Sequence, residues 1–393
     1  SNWRKHHEQR RDGCRQSLLY KLDSGGNLLM GYTIGIKREF EFIGNDLNND
    51  PCIFGRGYGS FAFQQHVGLS SKRIAVDASK YLAFPFIEKI NSSLVGIYSD
   101  GNSHASSDRQ VMIRSDNNGA TWTSTVFFEA AVPGVYDTSL LTDLLPLNND
   151  SVVLKVWTIK NVSGTLMVYQ NVSTSSGGNT YVHWSRAVAA PSSKLWLTGY
   201  DFNVGGYGET ALLESSDQGA TWAYKSTIAP ASDNLLYNEA SIVNTTGTNW
   251  LAIIREETGS DRRLYKSTST DDGTTWSSPS LLTAAEINGT QPNLIKTSSG
   301  LIVLATGDRT GTSGHSGQDV WGVNRTGISI FVSADNGVTW GYRTNVSGMF
   351  STDGGQPQMN EISADRLNIV FYQARLPFAK PQISSVSLDV DSI

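Results

Sequence analysis

An all-β chain folded as a six-bladed β-propeller is what this sequence predicts, and three observations predict it. One turn pattern, S-x-D-x-G-x-T-W, occurs at Ser215–Trp222, Ser269–Trp276 and Ser333–Trp340. A fourth copy, Ser115–Trp122, carries Asn117 where the others carry aspartate. The four closing tryptophans stand 100, 54 and 64 residues apart. A four-stranded antiparallel blade takes roughly 40–50 residues or slightly more, so the long first interval hides a blade whose turn has lost the pattern, ending near Trp184. No stretch places apolar residues at a 3.6-residue period, so very little helix is expected.

Taken in order, residues 1–74 read as a β-rich N-terminal extension, or as strands that complete the main domain. Strand-like runs occur at Leu28–Ile36 and Phe40–Ile43, and an aromatic, glycine-rich segment runs from Phe54 to Phe63. The two cysteines of the chain, Cys14 and Cys52, also fall here. They exclude a disulfide scaffold and a cysteine-rich metal site, and leave open one disulfide or two thiols. From residue 75 to 393 the repeat takes over, with blades expected near 75–125, 130–186, 188–225, 236–279, 290–343 and 345–390. In each repeat the Ser and Asp oxygens bond backbone N–H groups inside a tight turn. The glycine supplies a positive φ, and the tryptophan packs on the hairpin.

Composition narrows the function. The chain has 393 residues, a formal net charge of -5 and 17% charged residues, with Ser, Thr, Asn and Gly abundant. That profile suits an extracellular or virion protein, and it lacks the basic stripe a nucleic-acid partner requires. No apolar run reaches membrane-spanning length, and Ser1–His7 lacks the apolar core of a signal peptide.

The segment carrying the clearest chemistry is Tyr237–Arg255. Glu239 and Arg255 are equidistant from the polar turn at Gly247, so a hairpin folded there sets carboxylate against guanidinium at its open end. The same folding rule applied to every blade brings a shared set of side chains to one mouth. It gathers Asp100 and His104, Tyr136 and Asp137, Tyr200 and Asp201, Glu239 and Arg255, Asp308 and Arg309, and Gln356 and Gln373.

The repeated turn is the Asp box, and after residue 75 the chain resembles the sialidase superfamily of six-bladed propellers. Glu239 followed by Arg255 and then by the box at 269–276 is similar to the sialidase blade that supplies a catalytic glutamate and a carboxylate-binding arginine. Arg325, ahead of the last box, looks like another arginine of that set. Gly307–Arg309 is similar to a segment of bacteriophage endosialidases that carries their second substrate arginine. Arg309 and Arg325 are therefore alternatives for the second position. The departures are informative. Leu82–Pro85 stands where exo-sialidases carry Phe-Arg-Ile-Pro, so Ala83 replaces an arginine. Gly354–Glu361 contains no tyrosine where their nucleophile is found. A glutamate, two arginines and no nucleophilic tyrosine there is the endosialidase pattern.

The resemblance implies a glycosidase for sialic-acid-like or other acidic glycans, endo-acting and secreted or virion-associated, needing no metal or cofactor. If the chain is a phage tailspike, the same analogy implies a homotrimer. Arginine forks suit a planar carboxylate. A carboxylate such as Glu239 stabilises an oxocarbenium-like transition state or activates water. Asp100 or His104 is then the partner acid, or Glu239 itself is the acid. Tyr200 is a candidate for stacking on sugar. The competing readings are a glycan-binding propeller without catalysis and a polysaccharide lyase on the same fold.

Overall fold

The computed structural model describes most of residues 71–129, 181–308 and 326–390, apart from short connecting loops, together with strand backbones within 3–54 and 142–169. Chain contacts divide it into two compact units, Ser1–Ser71 with Gln318–Asn324, and Lys72–Gly317 with Arg325–Ile393. The first unit contains an antiparallel sheet of Trp3–His7, Ser17–Leu22 and Leu28–Ile34, and a hairpin of Glu41–Asn45 with Pro51–Phe54.

The second unit is an all-β propeller, and among the described residues it has five complete blades rather than six. Four are antiparallel meanders named here by their boxes. The Asn117 blade is Tyr81–Ile90, Ser93–Gly101, Arg109–Ser115 and Thr123–Glu129. In the Asp217 blade, Tyr181–His183 and Val188–Ala190 both pair with Lys194–Asp201, followed by Thr210–Ser215 and Ala223–Ala229. The Asp271 blade is Tyr237–Thr246, Asn249–Glu256, Leu264–Ser269 and Ser280–Leu281. The Asp335 blade is Thr290–Lys296, Ile302–Asp308, Thr326–Ser333 and Gly341–Met349. The closing blade combines Gly354–Ser363, Arg366–Gln373 and Gln382–Asp389 with Lys72–Ala75, a strand from ahead of the first blade.

Where a sixth blade was expected, near 130–186, two separate hairpins occur, Thr142–Asn148 with Ser151–Val156 and Thr158–Val162 with Thr165–Tyr169. The stretch holds no Asp box, so the hydrogen bonds that pin an outer turn elsewhere are missing from its sequence. Tyr181–His183 belongs to the inner edge of the Asp217 blade, not to the end of a preceding one. No α-helix occurs among the described residues. Pro191–Ser193 and Ala231–Asp233 form single 3-10 turns.

The boxes explain how the blades hold together. In the Asp271 box, Ser269 Oγ donates to Asp271 Oδ1 at 2.8 Å and accepts the Gly273 N–H at 2.9 Å. Asp271 also accepts the Thr275 N–H and hydroxyl at 2.9 and 2.6 Å. These bonds hold Asp217, Asp271 and Asp335 down at a pKa of about 2. In the fourth box the polarity of one bond reverses, and Asn117 Nδ2 donates to Thr121 Oγ1 at 2.8 Å. Each described box glycine has positive φ and faces the preceding blade. A Cβ on Gly273 would lie 2.6 Å from Leu212, one on Gly337 2.4 Å from Leu251, and one on Gly119 2.4 Å from Asn368 of the closing blade. That last contact shows the ring closing. Trp276 likewise reaches back, donating from Nε1 to Ser226 Oγ at 3.2 Å.

Candidate functional site

Bulges in the inner strands mark the end of the blades where the candidate residues were expected. In the Asn117, Asp271, Asp335 and closing blades the pairing of the first two strands slips near its open end, at Ala83/Phe86, Asn238/Ala240, Thr290/Asn293 and Gly355/Gln358. Three of these bulges hold a residue of positive φ followed by proline: Phe84-Pro85, Gln291-Pro292 and Gln356-Pro357, with φ of 56°, 54° and 45°. Proline has no N–H to give the ladder, which favours a break there, while the residue before it ordinarily avoids such a φ. Strained backbone of this kind collects at functional sites. The fourth bulge presents Glu239.

Opposite the bulges, the second strands place Ser99, Arg255, Gly307 and Tyr372 at matching positions, paired with Ala83, Asn238, Thr290 and Gly355, and Asp100 follows one residue further out, opposite Leu82. In the Asp217 blade, whose inner edge is split into two short strands, Tyr200 pairs with Val182 in the first of them. The backbone partner of Arg255 is thus Asn238 rather than Glu239. The bulge offsets the simple hairpin count by one residue while keeping the side chains together. Arg255 Nη1 donates to Glu239 Oε2 at 2.6 Å, and both side chains are buried.

Glu239 is held by one neighbouring blade and its flanking backbone by the other. The Gln291 N–H donates to its Oε2 at 3.2 Å. Gln291 Oε1 in turn accepts the Gln356 N–H at 2.7 Å, and Gln356 Nε2 donates to Pro85 O at 3.5 Å. This relay runs from bulge to bulge through four blades. From the Asp217 blade, the Thr198 hydroxyl donates to Ala240 O at 2.6 Å and the Thr210 hydroxyl to Asn238 O at 3.2 Å. Arg255 Nη2 also donates to Glu257 Oε1, and Asn238 Nδ2 donates to Glu257 Oε2 at 2.8 Å. Four buried polar atoms around the mouth lack a partner: Arg255 Nε, Asn238 Oδ1, Gln356 Oε1 and Asp100 Oδ1.

Tyr200 connects two groups of candidates. Burial, and then the charge of Glu239, push its hydroxyl ionisation far upward, with Arg255 opposing. It also packs in one apolar cluster with Tyr81, Phe84, Tyr98 and Tyr372 of the Asn117 and closing blades. The Asn117 blade carries the other group. Arg109, paired across the strands with Asp100, donates from Nη2 to Asp100 Oδ2 at 2.5 Å. Burial nevertheless holds the Asp100 carboxyl above the usual carboxylate range, against the pull of Arg109. The exposed His104 shares a 2.7 Å hydrogen bond between Nδ1 and the Tyr81 hydroxyl, and its ring stands edge-on to Phe84 at 4.9 Å.

Among the expected mouth residues, Glu239, Arg255 and Tyr200 come together, and Asp100 and His104 lie on the Asn117 blade at the same end of its inner hairpin. Arg309, Arg325, Tyr136 and Asp137 lie outside the described residues, as do Cys14 and Cys52. Arg109, Glu257 and Gln291 were missed by the sequence reading. The pairing register of the first blade's second and third strands is the signal for Arg109. Residue–proline steps at equivalent points in three blades are the signal for the bulges. Among the described residues no group of three or more His, Cys, Asp or Glu is arranged to hold a metal, and no helix is long and apolar enough to cross a membrane.

Comparison with known proteins fits this architecture. Residues 88–349 match the BNR repeat-like domain family. No curated protein matches the sequence. Among solved structures, a protein of unknown function from Dyadobacter fermentans superposes with a TM-score of 0.66 at 16% identity, covering 81% of this chain and 97% of that one. The NanB sialidase from Streptococcus pneumoniae gives 0.56 at 12% identity, covering 97% and 84%. The sialidase of Trypanosoma rangeli, in complex with the inhibitor DANA, gives 0.53 at 11% identity over 88% and 57%. At such identities the likeness shows the fold alone, and the family match is what places the sequence: the chain belongs to the BNR repeat-like domain family, and its propeller has the sialidase fold.

Proposed function

We propose that this protein is a glycoside hydrolase for sialic-acid-like or other acidic glycans, working outside the cell and cutting within polysaccharide chains. The observation that carries the reading is Glu239. It sits on an inner-strand bulge at the propeller mouth, ion-paired with Arg255 at 2.6 Å and fixed by the Gln291 N–H. A carboxylate held this firmly is preorganised for charge that develops during glycosidic cleavage. In this reading Arg255 supplies guanidinium donors for a sugar carboxylate, and Arg309 or Arg325 supplies a second set. Asp100 is the better partner acid, because burial raises its pKa and favours a proton that can be given to the leaving oxygen. His104 beside Tyr81 is the alternative acid. Tyr200 lines the wall between Glu239 and the Asn117 blade.

The sialidase fold of the structural neighbours supports glycan chemistry, and the absence of tyrosine from Gly354–Glu361 favours direct displacement by water over a tyrosyl intermediate. A second reading, glycan binding without turnover, gains from one observation: the carboxylate proposed for catalysis, Glu239, is nearly inaccessible, with 7% of its side chain exposed. The test is to incubate wild type and Glu239→Gln with polysialic acid, sialyllactose and acidic bacterial capsules and to measure new reducing ends. Turnover by wild type that is lost in the variant supports hydrolysis through Glu239. Turnover that survives the substitution overturns the mechanism, and binding without turnover selects the second reading.

A further inference from the structure

Arg255 serves two carboxylates at once. Its Nη1 faces Glu239, which is buried, and its Nη2 faces Glu257, whose side chain is 29% exposed and is the most open member of the trio. Glu257 lies just beyond the strand Asn249–Glu256, so it approaches the guanidinium from the loop side of the hairpin. Its other oxygen is held by Asn238 Nδ2 at 2.8 Å, and Asn238 is the residue opposite Arg255 in the ladder. The side chain is therefore placed by two partners, both belonging to the site. The Glu239–Arg255–Glu257 group carries one positive and two negative charges. Charge balance alone requires only one of those carboxylates.

We infer that Glu257 determines specificity by occupying the anion-binding fork of Arg255, so that an acidic sugar gains Arg255 only by displacing Glu257. The inference rests on the proposed glycan reading and names the regulation of that same site. A carboxylate on Nη2 mimics the group that an acidic sugar presents, and two anions cannot share one donor pair. Glu257 thereby penalises a single, weakly held acidic sugar. A longer acidic chain meets the same displacement cost, but its further contacts supply the affinity that a single sugar lacks. An isolated carboxylate sugar should bind weakly and a polymer well, which is the ranking an endo-acting enzyme requires.

The experiment uses the full chain and two probes, N-acetylneuraminate and its methyl ester, titrated calorimetrically into wild type, Glu257→Gln and Glu257→Ala. Glutamine keeps an oxygen for Asn238 and removes the charge, and alanine removes both. Thermal unfolding selects the variants that retain the wild-type fold, and the side chain's exposure makes at least one tolerant. Freeing one charge-assisted bond is worth roughly tenfold or more in affinity. The expected result is therefore acid binding tightened by about that factor in the folded variants, with ester binding unchanged. Acid binding that is unchanged, weaker or undetectable in a folded variant overturns the role assigned to Glu257. A gain that is equal for acid and ester overturns it too, because the effect is then steric. Failure of the hydrolase reading appears separately, as polymer turnover that persists in Glu239→Gln.

Discussion

Among the described residues of the propeller, two buried glutamates pair with arginines, and the two pairs use their arginines differently. Glu88 and Arg186 meet between the Asn117 and Asp217 blades, with Arg186 Nε and Nη2 each 2.5 Å from a carboxylate oxygen. The remaining Arg186 donors go to neutral acceptors of the closing blade, Met359 O at 2.9 Å and Asn360 Oδ1 at 3.2 Å. That arginine balances one carboxylate and ties three blades together. Arg255 instead meets two carboxylates and leaves Nε without a partner. The two glutamates also lie toward opposite ends of equivalent inner strands, Glu88 beside the turn and Glu239 at the bulge. A pair that serves architecture is charge-balanced and its arginine is spent on protein acceptors. A pair at the mouth is over-supplied with negative charge and keeps a donor unused.

That contrast breaks most directly by exchanging losses. Glu239→Gln should lower glycan turnover by about 10²–10⁴-fold, the usual contribution of a positioned acid or base. Its thermal midpoint should move little. Arg186→Ala should do the reverse, costing roughly 3–5 kcal/mol of stability because it strands a buried carboxylate. Chemical denaturation alongside activity assays reads both. If Arg186→Ala leaves stability intact, the two pairs are not divided in this way.

The next test uses pH. Burial pushes Glu88 up to about 7, with Arg186 acting against it. The folded state therefore holds a proton that the unfolded chain has already released. Stability should fall as pH rises from near the ordinary glutamate value toward 7, by at most about 3 kcal/mol, and then level off. Denaturation midpoints measured across that window in wild type and Glu88→Gln should show the slope disappearing in the variant. A slope that persists in Glu88→Gln assigns it to another group.

Smaller effects come from the outer turns. Gly273→Ala forces a Cβ into Leu212 at a positive φ of 66°, which should cost about 1–3 kcal/mol. The smallest change should come from Asp271→Asn, which copies what Asn117 already does in its own box. Because hydrogen bonds hold Asp271 at about 2, its contribution is present above the usual aspartate range and is lost as pH falls through about 2. An acid titration of the variant should show a slightly flattened limb and little difference at neutral pH.

Much of this was legible because the Asp box is a local device. Ser, Asp, Gly, Thr and Trp act within eight residues, so the sequence displays the turn even though the strands it joins are ordinary. Glu239 and Arg255 were legible for a similar reason, since a hairpin folds about its own turn. What stayed hidden depends on pairing across larger separations. Arg186 and Glu88 are 98 residues apart, and no local pattern links them. Gln291 reaches Glu239 through its backbone N–H, which every residue but proline possesses. The six-blade count went astray by assigning Tyr181–His183 to the hidden blade, when that strand pairs into the Asp217 blade. An alternating strand pattern does not say which neighbour it will choose.

The closing blade borrows its fourth strand, Lys72–Ala75, from upstream of the first blade, where it pairs with Gln382–Asp389. Trimming the chain past Ala75 would leave Gln382–Asp389 as a bare edge with its ladder groups unmet. Such an edge accepts a strand from any chain that offers one. A truncated propeller should therefore self-associate by pairing its bare edge with that of a second copy, and a synthetic peptide spanning the missing strand should return it to monomers.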